Sequence, residues 1–237
     1  MSAKRSGRLR LPLALKRLIA NDALADLRYV YSMNRGIPSP EPALRTIKSS
    51  IRPTDVVVEV GAARGGSTLF LSSRAKHVIA FEPNKYNYRL LRHFTKSRRN
   101  VSTFNLAVGG REGLARLNIV DGEATAHGSS MQELHGLSYR GHMTVQMVTL
   151  DSFKFSTPPS VLILDCEGYE GEVLRGAKAV LEKVRAVFIE THVMDGGHST
   201  LPSVLAQVEA VPMKTTVFVS DDQLSWISGT RGEPNAL

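Results

Sequence analysis

The stretch VVVEVGAARGGSTLFL, residues 56–71, decides how the rest of the chain is read. Valines around one acid read as a buried strand, glycines at 61, 65 and 66 mark a turn, and the residues from Ser67 onward read as a helix. A strand that passes through glycine into a helix leaves backbone N–H groups aimed at the turn, and a residue without Cβ lets a ligand come close. That geometry suits a nucleotide-like ligand.

Outward from this stretch, short apolar runs alternate with amphipathic segments, the pattern of an α/β domain with a parallel sheet. Strands are predicted near 56–60, 77–82, 101–106, 161–165, 185–190, 214–219 and 224–228, and helices near 67–74, 86–97, 170–182 and 201–209. Between the third and fourth strands, LARLNIV (114–120) and TVQMVTL (144–150) predict extra β segments around a polar stretch, 121–143. Long polar loops in compact domains are often functional, so the excursion over 114–150 is expected to cover the acceptor site. The domain is placed at 51–229, after a basic arm and helical extension over 1–50 and before a flexible tail at 230–237. No internal repeat is present.

The chain of 237 residues is 42% hydrophobic, enough for a proper core, and carries a net charge of +8. Residues 1–52 hold eleven Lys and Arg against Asp22, Asp26 and Glu41, and the remainder balances at 19 of each sign. Leu13, Leu15, Ile19, Leu24 and Leu27 approximate a helical stripe flanked by Lys16, Arg17 and Arg28. The plain reading is a helix packed on the domain behind a basic arm; the same charges would also attract nucleic acid or, through peripheral contact, an anionic membrane. Lys16 and Arg17 interrupt the apolar run LPLAL too early for a signal peptide, and no run approaches the ~20 apolar residues of a membrane span. A single cysteine, Cys166, excludes an internal disulfide framework, and a cytoplasmic setting is expected.

Two cofactors compete for the opening turn. Read as GxAxxG, Gly61, Ala63 and Gly66 form a degraded dinucleotide fingerprint, with Glu82 holding a ribose. Read as ExGxxxG, Glu59, Gly61 and Gly65 match the first motif of class I methyltransferases that use S-adenosyl-L-methionine (SAM). The acid favours SAM, because a carboxylate there sits well beside a cation and repels a pyrophosphate. The second strand, HVIAFEPN, ends in Glu82, Pro83 and Asn84, where a carboxylate accepts hydrogen bonds from ribose hydroxyls.

Five further segments follow in order: FEPN (81–84), NLAVGG (105–110), VTLDSF (148–153), LILDCEGYEGEVLRGA (162–177) and FIETH (188–192). Together with EVGAARG they resemble the FkbM family of SAM-dependent methyltransferases over about residues 50 to 192. Many members carry Asn-x-Gly where this chain has Ala63, Arg64 and Gly65. The resemblance implies a class I Rossmann-like three-layer sandwich, a seven-stranded, mostly parallel sheet of order 3-2-1-4-5-7-6 with one antiparallel strand. It also implies cofactor contacts at Glu59, Gly61, Ala63, Gly65 and Thr68, at Glu82, Pro83 and Asn84, at Asn105 and Ala107, and at Asp165.

Methyl transfer to a hydroxyl benefits from a base within reach. Asp165, Glu190 and His192 are the candidates, with Ser129 and Ser130 as acceptor contacts and Glu167 either a ligand or a helix cap. Two of Asp165, Glu167 and Glu170, or Asp165 with Glu190, are a conceivable Mg²⁺ site, but no fuller ligand cluster is evident, so no metal is expected. Cys166 is expected to pack beside the strand end. The expected reaction is O-methylation of a hydroxyl on a glycan, glycolipid or small metabolite; the alternatives are an RNA methyltransferase, a nicotinamide-dependent oxidoreductase and a non-catalytic SAM-binding protein.

Overall fold

The computed structural model describes residues 42–120, 129–132, 136, 138–220 and 224–232. The basic arm, the Leu13–Leu27 stripe, His127 and His135 lie outside the described residues. In chain order, α1 (Pro42–Ser50), β1 (Val56–Val60), α2 (Gly66–Ser72), β2 (His77–Phe81), α3 (Lys85–Thr95) and β3 (Val101–Phe104) come first. The excursion contributes β4 (Ala107–Val108), β5 (Gly113–Val120), β6 (Ser129–Ser130) and β7 (Tyr139–Val148). Then follow β8 (Val161–Leu164), α4 (Glu170–Arg175), α5 (Lys178–Leu181), β9 (Ala186–His192), α6 (Leu201–Glu209), β10 (Lys214–Ser220) and β11 (Leu224–Thr230).

The main sheet has the order β3-β2-β1-β8-β9-β11-β10, which is the expected order, and β11 runs antiparallel to both neighbours. β1 lies at its centre, parallel to β2 and β8 and buried at all five positions. Its side chains alternate between two cores, which is why the strand reads as a continuous apolar run. Val56, Val58 and Val60 pack with Val173, Leu174, Val180, Val204 and Val208 from α4, α5 and α6. Val57 faces Ala43, Leu44, Ile47, Phe70 and Leu71 from α1 and α2.

Several boundaries depart from the sequence expectation for identifiable reasons. The helix expected over 170–182 is two, α4 and α5, because Gly176 passes so close to the Gly109 carbonyl that a Cβ would lie 2.1 Å from its oxygen. The third strand stops at Phe104, and Asn105 turns back to donate its side-chain amide to the carbonyls of Glu82 (2.8 Å) and Pro83 (2.9 Å). β11 continues through Thr230, and Arg231 beyond it donates to the carbonyls of Val184 and Leu181, both at 3.0 Å. The tail expected to fray at 230 is therefore anchored for two residues more. The excursion is a second sheet, β4-β7-β5-β6, closed on a small core of Ala107, Ala115, Leu117, Val145 and Met147.

Gly61 is the tightest point of the main sheet: its φ is +88°, and a Cβ there would lie 1.6 Å from the Asp165 carbonyl oxygen. Gly61→Ala is expected to destabilise the domain by about 3 kcal/mol or more, combining left-handed strain with a backbone clash. Gly232→Ala, where a Cβ meets nothing within 4 Å, is expected to change stability by less than ~0.5 kcal/mol. Denaturant unfolding of the two variants checks the contrast.

Candidate active site

The turn after β1 is held from the side by β2. The amides of Gly61 and Ala62 both donate to the Phe81 carbonyl at 3.0 Å, and the Ala63 amide donates to Glu82 Oε2 at 2.9 Å. Glu82 Oε1 accepts the Asn84 amide at 2.7 Å. Burial nevertheless pushes the Glu82 carboxyl up to about 8, since two neutral donors offset only part of the cost of desolvating a charge. Ala63 itself takes a left-handed φ of 44°, unusual for a residue with a Cβ and fixed here by these bonds.

A cleft opens at the carboxyl ends of β1, β2 and β8, where open α/β sheets bind ligands. Of the residues expected to touch a cofactor, Gly61, Ala63, Glu82, Pro83, Ala107 and Asp165 line it. The others support its walls instead. Glu59 lies buried behind the turn and accepts the Thr68 hydroxyl at 2.6 Å, and Thr68 is itself fully buried. Burial raises the Glu59 carboxyl, opposed by the hydroxyls of Ser67 and Thr68. Gly65 packs against Leu91 of α3, Asn84 caps α3 by accepting the Tyr86 amide at 3.0 Å, and Asn105 clamps the end of β2. Arg64, at the place where the turn departs from the commoner pattern, reaches back to Asn87 at 3.4 Å.

The excursion closes the cleft with Leu117, Ser129 and Met131, and Tyr169 adds a wall from the loop after β8. Leu117 and Met131 were not legible as site residues: an apolar position on a β strand, as Leu117 is on β5, reads as core whichever cavity it borders, and Met131 follows β6 in a stretch read only as polar loop. Ser130 Oγ donates to the Glu167 carbonyl at 2.7 Å and so ties the excursion to that loop. No Lys or Arg lines the cleft among the described residues.

The loop DCEGYEG bends through left-handed Glu167 (φ 53°) and Gly168 (φ 89°). Glu167 does not cap the helix that follows; the N-cap of α4 is Tyr169, which makes no side-chain cap bond. Glu170 holds the loop instead, its Oε1 accepting the amides of Gly168 (3.0 Å) and Cys166 (3.3 Å). The same oxygen lies 3.1 Å from His192 Nδ1. Glu190 and His192 are two residues apart on β9 and share a face, and Glu190 Oε1 accepts the indole N–H of Trp226, its partner on β11, at 2.7 Å.

Asp165, Glu190 and His192, expected separately as catalytic residues, therefore converge, with one ligating atom of each within 4.8 Å of the others. Burial, and then the nearby Asp165 carboxylate, pushes the Glu190 carboxyl strongly up. Burial alone would lower the His192 imidazole, but the Glu170 carboxylate on Nδ1, with Asp165 and Glu167 close by, raises it to about 9. Both shifts favour the protonated forms of Glu190 and His192 in the ligand-free site. Burial, followed by the charges of Glu170 and Asp165, drives the Cys166 thiol well above its usual range, which leaves it a packing residue.

Comparison with known proteins fits this geometry. The family profile described as Methyltransferase FkbM domain matches residues 59–209. The chain belongs to the FkbM methyltransferase family. A curated relative, the hexuronic acid methyltransferase AglP of Haloferax volcanii, is 26% identical over 162 residues, 67% of this chain and 64% of that protein. The chain thus spans a little under two thirds of that relative. The crystal structure of an FkbM methyltransferase from Methylobacillus flagellatus superposes with a TM-score of 0.55 at 13% identity, over 90% of this chain and 56% of that one. A Streptococcus mutans protein solved with S-adenosylhomocysteine (SAH) superposes with a TM-score of 0.50 at 14% identity, over 79% of this chain and 94% of that one. The FkbM domain described here has the class I Rossmann-like fold of SAM-dependent methyltransferases.

The buried Glu82 gives the FkbM domain a pH signature. Its folded pKa of about 8 exceeds the ordinary value of 4.5, so the folded state holds more protons between those limits. This contribution to stability is complete below about 4.5 and is lost as pH rises through about 8. The melting temperature is expected to fall from pH 5 to pH 8.5, and Glu82→Gln to flatten that slope; an equal slope in both proteins contradicts the assignment.

Proposed function

We propose that this FkbM protein transfers the methyl group of SAM to a hydroxyl of a glycan bearing acidic sugars. The observation that carries the cofactor is the charge of the cleft: Asp165 and Glu167 line it beside Glu82, whose carboxyl burial favours in its neutral form, and no Lys or Arg does so among the described residues. Such a lining attracts a sulfonium cation and repels the pyrophosphate of a nicotinamide dinucleotide. The residues present suit SAM along its length. Glu82 is the ribose acceptor, Pro83 and Ala107 flank the base, and Gly61 and Asp165 border the sulfonium end.

When bound, SAM supplies a methyl group that its sulfur already activates for attack by an oxygen lone pair. What remains for the chain is to align the acceptor, exclude water and receive one proton. Leu117, Met131 and Tyr169 keep the cleft apolar on the excursion side, and the carboxylates of Asp165 and Glu167, which line the cleft, are where the hydroxyl proton goes.

Two observations support an anionic acceptor. The curated relative is named for a hexuronic acid, a sugar with a carboxylate. In this chain Lys85, Arg89, Arg92 and Lys96 are exposed along one face of α3, Arg99 continues the line, and no Asp or Glu occurs between Glu82 and Glu112. The same stripe suits a phosphate backbone, so methylation of RNA is the second reading.

Calorimetric titration is expected to give saturable binding of SAM and SAH and none of NADH. Methyl transfer from labelled SAM is then expected to an acidic oligosaccharide and not to RNA, with the RNA reading favoured by the reverse. Asp165→Asn is expected to lower turnover by about 10²-fold or more while leaving the melting temperature within a few degrees. Full activity in that variant removes Asp165 from the mechanism. Cofactor binding without transfer to any acceptor would leave a SAM-binding protein rather than an enzyme.

A further inference from the structure

We infer that Asp165, Glu190 and His192 form a binding site for one divalent first-row metal ion at the acceptor end of the cleft. The three residues bring one ligating atom each to within 4.8 Å of one another, and Glu167 Oε2 adds a fourth oxygen 3.6 Å from His192 Nε2. Glu190 Oε2 lies at the same 3.6 Å from that nitrogen. These separations are too long for hydrogen bonds and close to those of atoms sharing an ion, since ligands about 2.1 Å from a metal lie about 3.0–3.5 Å apart at octahedral or tetrahedral angles.

The outer partners point the same way. Glu170 Oε1 already accepts two amides and takes the Nδ1–H of His192, so the other ring nitrogen, Nε2, is the one turned to the carboxylates of Glu167 and Glu190, where a bound cation takes the place of its proton. A buried carboxylate on the far nitrogen is what fixes the tautomer and orientation of metal-bound histidines. Glu170 is completely buried, and its Oε2 has no hydrogen-bond partner among the described residues. Trp226 fixes Glu190 through Oε1 and leaves Oε2 toward the cluster. Ligating oxygens of Asp165 and Glu190 lie within 4.8 Å of each other, and two carboxylates that close are stabilised by a cation between them.

One imidazole with two or three carboxylates suits an ion of intermediate hardness such as Mn²⁺ or Fe²⁺ better than the all-oxygen preference of Mg²⁺. Asp165 and Glu167 also line the cleft, so an ion here reaches an acceptor oxygen directly. This role rests on the methyl-transfer reading. The ion acidifies the bound hydroxyl, whose proton passes to a carboxylate of the cluster. The oxygen pair forms the new C–O bond as the C–S bond breaks, its electrons remain on sulfur, and the metal keeps its charge throughout.

The test is titration of the chelator-treated full chain with Mn²⁺, followed by the loss of the free-ion paramagnetic resonance signal. One ion per chain is expected, with affinity reduced at least tenfold in Glu190→Gln and in His192→Gln. Circular dichroism checks that both variants fold; should either fail, Glu167→Gln, at the edge of the cleft, is expected to weaken Mn²⁺ several-fold. Absence of stoichiometric Mn²⁺ binding, or equal binding by the folded variants, overturns the site. Parallel SAM titration of the same samples keeps the two claims apart: SAM binding without Mn²⁺ binding removes only the metal, and Mn²⁺ binding without SAM binding removes the methyl-transfer role and leaves the metal site.

Discussion

The approach of Gly61 to the backbone of Asp165 is the contact on which the rest of the site depends. β1 and β8 are adjacent and parallel, and at their carboxyl ends no room for a Cβ remains between them. This closure sets the chain turning at Gly61, so that the Ala63 amide meets Glu82. On the other side it places Asp165 at the mouth of the cleft and begins the loop that Glu170 holds. A glycine explained at first as making room for a ligand thus makes room for the protein's own backbone. It lines the cleft as well, with Ala63 and Glu82 beside it.

Electrostatics around the cleft is arranged in two shells. Glu82, Asp165 and Glu167 face the cleft, while Glu59 and Glu170 lie behind it with hydroxyl, amide or imidazole partners. Burying this many acids is unfavourable unless something positive or a proton answers them. The sulfonium proposed at one end, and the imidazolium or the metal ion at the other, supply that answer. Among the described residues a stripe of positive charge lies on the exposed face of α3, which contributes no residue to the lining of the cleft.

The architecture was legible in the sequence because β1 and its neighbours are apolar on both faces, and the order of the main sheet follows from the family resemblance. The break between α4 and α5 was not, since it is caused by Gly109, far away in sequence. Sequence does not separate residues that line the cleft from those that brace it: Glu59 and Asn84 stand directly beside lining residues, and only the direction of each side chain tells them apart. Likewise Asp165, Glu190 and His192 were each picked out, but their meeting depends on the pairing of β8 with β9, which no local pattern encodes. Glu170 was read only as a conceivable metal ligand, because its partners, the amides of Cys166 and Gly168 and a histidine twenty-two residues on, are set by the loop and by β9.

The decisive measurement is a crystal structure of the full chain with SAH. The ribose hydroxyls are expected on Glu82 and the sulfur between Gly61 and Asp165, turned toward Glu190 and His192. Density for SAH elsewhere on the protein, or in the cleft with its ribose away from Glu82, would contradict this placement.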